Sequence, residues 1–357
     1  MLMRKVTART GLLALAIAVC FILLILFIGH YSNGTIPGNS DLQARYTLEP
    51  ATHLDFMSEW DGPHYLHIAK YGYTDNSLTA FFPLYPLLIR LAMFVLSSPL
   101  ISGLLVSWAC LTGAIYFYLK IVGELINKDI NDKILGVMLF LFFPTGVFLA
   151  ATYTEALFAF LLLGSFYCAL KNRLLWSAIL SALATAAHPE GIFIIPLIML
   201  VLWENKHSLI KIVGVGLSGL VGILSYIVYL WLVKGKPLDF VHAQRGNHWL
   251  SSHYLSTIAS SITAIDVLVF VLAVAAVFYW WKRHVALSVY SLLFVLLPFV
   301  GGNFAGYSRY LLMDFPLPLM LLSLFRRSRL AFPVVLTIST VLWTFYVIHY
   351  AAGYIGG

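Results

Sequence analysis

The chain has 357 residues, of which 61% are hydrophobic and only 10% charged, and its formal net charge is +7. A soluble domain carries about 25% charged residues, so this composition excludes an ordinary soluble globular protein. The basic residues sit in short clusters between apolar runs. They read as topology signals beside anionic lipid, not as a nucleic-acid surface.

Arg4, Lys5 and Arg9 precede an apolar run over 11–29. That run is longer than a signal-peptide core and no small-x-small pattern follows it, so an uncleaved first span is expected. A helix needs about 20 apolar residues to cross the hydrocarbon core. On that rule spans are expected near 11–29, 99–120, 133–148, 154–170, 174–188, 191–203, 208–233, 263–281, 285–302, 309–325 and 330–353. The fold class expected is therefore all-α, a polytopic membrane protein of about 11 transmembrane helices in one domain over 1–357. Residues 30–83 form a long first extracytoplasmic loop. Residues 84–97 are apolar but too short to span, which suggests an interfacial or re-entrant helix.

Charge orients this arrangement. With the N-terminus cytoplasmic, 15 of the 22 basic residues fall on short inner loops, from Arg4 through Lys171 and Arg173 to Arg326, Arg327 and Arg329. The positive-inside rule then favours a cytoplasmic N-terminus and an extracytoplasmic C-terminus. Of the 15 acidic residues only Glu124, Asp129, Asp132 and Glu204 lie inside. Chemistry is expected on the outer face. No nucleotide-binding fold or P-loop fits, so neither a soluble nucleotide nor a redox cofactor is expected. Cys20, Cys110 and Cys168 all lie in apolar runs and form no CxxC site.

Trp60-Asp61-Gly62-Pro63-His64-Tyr65 is the most polar cluster in the first loop. Pro63 suits the first turn of a helix that Asp61 or Gly62 would cap, so Asp61 reads equally as an N-cap. In a helix over 61–70, Asp61, His64, Tyr65 and Ile68 share one face. A carboxylate partly shielded from water there suits a general base for a substrate hydroxyl. Glu155, after Tyr153 and Thr154, opens an outer-face helix whose dipole stabilises it, and capping alone also explains it. His188-Pro189-Glu190-Gly191 is a tight outer turn that either lines a cavity or is turn polarity. In the loop 234–262, His242, Gln244, Arg245, His248 and Trp249, within a stretch that also holds Asn247, suit sugar hydroxyls or a headgroup phosphate, and equally a solvated loop. The two histidines lack a helical metal-ligand spacing. Arg309, in Tyr307-Ser308-Arg309-Tyr310, pairs with Asp314, snorkels to the interface, or grips a lipid-linked phosphate bidentately.

The series Trp60-Asp61-Gly62, Tyr65, Ile68-Ala69, Tyr71-Gly72-Tyr73 and Ala80-Phe81-Phe82-Pro83-Leu84-Tyr85-Pro86 resembles the PIG-V family. The eukaryotic member of that family adds the second mannose of GPI anchors. Phe143-Pro144, Tyr153 to Phe158, the His188–Gly191 turn, Arg309-Tyr310 and Phe315-Pro316 match later family blocks in the same order. The family belongs to the GT-C superfamily of polytopic glycosyltransferases. The resemblance implies transfer of a sugar, with inversion, from a polyprenyl-phosphate donor to a glycan or glycolipid acceptor at the outer face. It implies Asp61 as base, with Trp60 beside it; a divalent cation is compatible with it. Two departures stand out. Phe143 precedes Pro144 where the family often has Asn, and His188 stands where it often has Arg.

A transporter or flippase of lipid-linked sugars would instead carry ionisable residues at the midplane of several spans. Those span centres are nearly free of charge here. A non-catalytic membrane subunit is the third alternative.

Overall fold

The computed structural model describes residues 2–35, 52–246, 263–301 and 306–354. Among these residues every regular element is a helix. In chain order the α-helices are α1 (Leu2–Thr35), α2 (Gly62–Tyr71), α3 (Leu84–Leu96), α4 (Pro99–Leu125), α5 (Ile130–Leu141), α6 (Glu155–Leu170), α7 (Leu174–Ala187) and α8 (Ile194–Glu204). There follow α9 (Leu209–Ser218), α10 (Leu220–Lys234), α11 (Asp239–Gly246), α12 (Ala264–Trp281), α13 (Val285–Gly301), α14 (Tyr307–Leu311), α15 (Pro316–Phe325) and α16 (Ala331–Ala351). Short 3₁₀ turns lie at Asp55–Ser58, Ser77–Ala80, Gly146–Leu149 and Pro189–Phe193.

The expected spans all fall on helices, but several are broken. Pro144 has no N–H to continue the ladder, and α5 stops at Leu141 with Phe142 as its C-cap. The run over 208–233 divides at Gly219 into α9 and α10. The run over 309–325 divides into α14 and α15, the second starting on Pro316. Among the described residues five helical stretches are long and apolar enough to cross a membrane: 8–32, 99–125, 209–234 (α9 and α10 taken together), 264–281 and 331–351. Within the long first loop, α2 lies where the helix over 61–70 is expected, and two 3₁₀ turns at Asp55–Ser58 and Ser77–Ala80 add to it. Part of the loop over 234–262 is the helix α11, while Asn247, His248 and Trp249 lie outside the described residues.

The chain divides into two compact units. One comprises residues 1–70, 87–163 and 321–356. There α1 packs on α4 and on α16, and α4 on α5. Phe21 of α1 meets Phe142 and Trp343 at ring distances of 5.9 and 5.5 Å. Ser98 caps α4 by accepting from the Ile101 N–H at 3.3 Å, with Pro99 in the first turn. The α3 segment leaves Leu87, Leu91, Phe94 and Val95 exposed. Such an apolar outer surface suits hydrocarbon better than water.

The other unit comprises residues 71–86 and 164–320. There α7 packs on α10, α8 on α9 and α13, and α12 on α13. Small residues let α7 and α10 approach closely, as in many membrane bundles. A Cβ on Gly222 would overlap the Ala182 carbonyl oxygen and stand 2.5 Å from Thr185 Oγ1. The α11 helix rests on the Ser77–Ala80 turn, where Phe82, Tyr226, Leu230 and Phe240 form one apolar cluster.

Candidate active site

The Trp60-Asp61-Gly62 stretch is the tip of a tight turn. The Gly62 N–H donates to the Glu59 carbonyl at 3.1 Å, closing a four-residue turn over 59–62. Trp60, at the first central position, has φ +58, a left-handed conformation. A turn needing positive φ only there is normally served by glycine. An L side chain in that region costs about 1–2 kcal/mol. Strain of this kind persists only where the surroundings over-determine it, and functional sites are where it collects.

Neighbouring segments supply that determination. Tyr153 Oη donates to the Glu59 carbonyl at 2.9 Å and accepts from the Asp61 N–H at 3.1 Å. Tyr350 Oη accepts from the Glu59 N–H at 3.2 Å. The Thr152 N–H donates to the Met57 carbonyl at 2.9 Å, and its hydroxyl to Ser58 Oγ at 2.9 Å. Gly62 permits this approach: a Cβ there would stand 2.6 Å from Thr152 Oγ1.

From the tip the chain enters α2, whose His64 and Tyr65 N–H groups donate to the Asp61 carbonyl. Asp61 therefore occupies the N-cap position of α2 by its backbone. The shared face is also present in graded form: Tyr65 and Ile68 are buried, while Asp61 and His64 are half-buried. Tyr65 Oη lies 3.4 Å from Thr154 Oγ1. Burial, then the Asp55 charge, push the Glu59 carboxyl up to about 7, so it exchanges a proton near neutrality. Glu155, at the start of α6, is 2% exposed. The Trp60 Nε1 is buried with no hydrogen-bond partner among the described residues. Its N–H is a donor directed at neither backbone nor side chain there.

The remaining candidates belong to the unit of residues 71–86 and 164–320. His188 Nδ1 pairs with Glu190 Oε2, the two side chains being 9% and 11% exposed. Burial opposes ionisation of Glu190, but the charge and hydrogen bond of His188, its own backbone and the Arg309 charge together hold its carboxyl below the usual range. The Arg309 guanidinium also stands 5.6 Å from the Tyr310 ring centroid. Asp314 accepts from Ser291 Oγ at 2.7 Å. Gln244 is half-buried and Arg245 exposed on α11. That helix is seated through Asp239, which accepts from Thr79 Oγ1 at 3.4 Å.

Trp60, Asp61, His64, Tyr65 and Glu155 thus share one compact unit, and His188, Glu190 and Arg309 are neighbours in the other. No group of three His, Cys, Asp or Glu residues fit to hold a metal ion occurs among the described residues. Sequence reasoning does not single out Glu59, Thr152 or Tyr350, and names Tyr153 only within its motif. The Tyr153-Thr154-Glu155 motif signals Tyr153 and, by adjacency, Thr152; nothing local signals Tyr350, 291 residues from the backbone it holds.

Residues 49–214 match the family model described as Mannosyltransferase (PIG-V). GPI alpha-1,6-mannosyltransferase 2 of Cricetulus griseus is 34% identical over 150 residues, 39% of this chain and 30% of that protein. The Homo sapiens protein of the same description is 32% identical over 157 residues, 41% of this chain and 31% of that one. GPI mannosyltransferase 2 of Drosophila pseudoobscura pseudoobscura is 31% identical over 116 residues, 30% of this chain and 26% of that protein. The matched stretch spans about a third of these curated relatives. Among solved structures, an oligosaccharyltransferase of Archaeoglobus fulgidus aligns with 94% of this chain and 53% of its own at 13% identity and a TM-score of 0.49.

Proposed function

We infer that this chain, PIG-V-like over residues 49–214, is an integral-membrane mannosyltransferase of GT-C type. Its donor is a polyprenyl-phosphate mannose and its acceptor a lipid-linked or surface glycan at the extracytoplasmic face. The single observation that carries the reading is the tip at Trp60-Asp61-Gly62. It is a strained turn held by hydroxyls at the head of α2, half-shielded from water, within the stretch that matches the family.

In the proposed reaction Asp61 takes the proton from an acceptor hydroxyl as its oxygen attacks the anomeric carbon. The bond from that carbon to the donor phosphate breaks, its electron pair leaves with the phosphate, and the sugar inverts. A positioned general base contributes about 10²–10⁴-fold in rate. The Trp60 indole N–H and ring edge suit a sugar hydroxyl and its apolar face, with His64 and Tyr65 following on α2 and Glu155 adding to the negative field. In the other unit, the Arg309 guanidinium suits a phosphate oxyanion, with Glu190 and His188 fixing its counter-charge. Gln244 and Arg245 suit the more exposed part of a glycan or headgroup.

Purified protein in lipid vesicles, offered labelled polyprenyl-phosphate mannose or glucose and a lipid-extract acceptor, tests this. Transfer from the mannose donor is expected, with Asp61→Asn lowering it at least ~100-fold while the protein still inserts and folds. Normal transfer by that variant would remove Asp61 from the mechanism. A parallel EDTA arm reads any need for a divalent cation, and transfer from glucose instead would change the donor.

A further inference from the structure

We infer that Tyr153 is a positioning residue of the proposed transfer. Its hydroxyl bridges the Glu59 carbonyl and the Asp61 amide, keeps Trp60 in the left-handed conformation and so fixes the direction of Asp61. The inference rests on the assignment of Asp61 as base.

The ring and the hydroxyl of Tyr153 do separable work. The residue is 1% exposed, and its ring contacts Phe148 at 4.9 Å, Tyr350 at 6.2 Å and Tyr65 at 6.5 Å. A phenylalanine would satisfy all three contacts. The hydroxyl alone reaches the turn, and it does so at both peptide groups that flank Trp60. It donates on one side and accepts on the other, which uses its proton and a lone pair together. The Asp61 N–H belongs to the N-cap residue of α2 and has no intrahelical acceptor, so it needs an outside partner. Tyr350 adds one further bond, to the Glu59 N–H. Rotation about the Trp60 backbone toward an ordinary turn breaks the Tyr153 bridge. The displaced tip would swing the Asp61 carboxylate away from the acceptor oxygen, and misplacement of about 1 Å costs roughly 10²-fold in rate.

The test compares wild type, Tyr153→Phe, Tyr350→Phe and Asp61→Asn, all in lipid vesicles, by steady-state mannosyl transfer and by amide hydrogen exchange of peptides spanning 57–66. For Tyr153→Phe, kcat is expected to fall about 10- to 100-fold with KM for the donor within about twofold, because binding contacts are kept and only direction is lost. Exchange at 57–66 is expected to quicken at least about tenfold, with other peptides unchanged. Tyr350→Phe, which removes one bond and leaves the bridge, is expected to do less in both readouts. Wild-type kcat and wild-type tip exchange in Tyr153→Phe would overturn the inference. So would faster exchange throughout the protein, which marks a merely structural tyrosine. If Asp61→Asn transfers normally, or no transfer occurs at all, the catalytic reading fails; the exchange readout then still decides whether the bridge holds the tip.

Discussion

At the scale of single residues, the molecule places tryptophan where turn geometry asks for glycine. At most exposed positions glycine is worse than alanine, because its unfolded chain has more freedom to lose. At position 60 the order should reverse. Trp60→Ala and Trp60→Gly both lose the indole, but only alanine keeps a Cβ at φ +58. Trp60→Gly is expected to melt above Trp60→Ala by an amount worth about 1–2 kcal/mol, the left-handed cost, in thermal unfolding of the detergent-solubilised protein. Alanine melting higher would mean the turn relaxes without cost, and would weaken the case for strain stored at the tip. The same residues show what was legible beforehand. Asp61, Gly62 and Pro63 announce a helix start by residue type alone, and the structure has α2 beginning there. Glu59 gives no such sign. Its shift to about 7 comes from burial and from Asp55, neither of which a carboxylate in a loop sequence reveals. Tyr350 is further removed still, an aromatic in the last apolar run whose role depends on a contact across most of the chain.

At the scale of elements, the apolar runs were readable because hydrocarbon imposes a length and a composition on any helix within it. Their interruptions were less so. Pro144 and Pro316 mark two of them, but the break between α9 and α10 falls in a run with no proline. α11 escaped for the opposite reason: its residues are polar, and it is fixed by Asp239 and Phe240 against residues 79 and 82, a tertiary support. Between α7 and α10 the decisive residue is Gly222, whose missing side chain lets the two backbones meet. In a membrane no hydrophobic drive holds helices together, so close packing carries the association. Gly222→Ala must displace backbone atoms of Ala182 and Ala186, not a flexible side chain. Overpacking of this kind costs about 1–3 kcal/mol. The variant is expected to melt lower by the corresponding shift, measured in the same detergent. By contrast, Gly214→Ala, where a Cβ meets nothing within 4 Å, is expected to melt at or above wild type. Equal loss at both positions would show that the cost comes from detergent contacts or another effect common to both sites, and not from the α7–α10 approach.

For the whole molecule the open quantity is which end of each span faces the cytoplasm, and charge offers the physical answer. Basic residues within short loops resist translocation far more than acidic ones do. Fifteen of the 22 stand on one set of alternate loops in the eleven-span reading, so a shift of a single span would move Lys171, Arg173, Lys282, Arg283, Arg326 and Arg327 outward together. The structure tests this economically, because each compact unit offers an exposed position from either set of loops. His53 and Lys128 serve one unit, Asp75 and Lys171 the other. On a background with Cys20, Cys110 and Cys168 replaced by alanine, each would be changed singly to cysteine and exposed to a membrane-impermeant maleimide. His53→Cys and Asp75→Cys are expected to label in intact cells, and Lys128→Cys and Lys171→Cys only after permeabilisation. The reverse pattern would put the Asp61 tip in the cytoplasm, where a soluble nucleotide sugar becomes the natural donor and the polyprenyl-phosphate proposal falls. A mixed pattern would be as informative. If His53 labels from outside and Asp75 does not, the chain crosses between them, and α2 takes on the role of a span that its ten residues would fill only across a thinned or water-entered region.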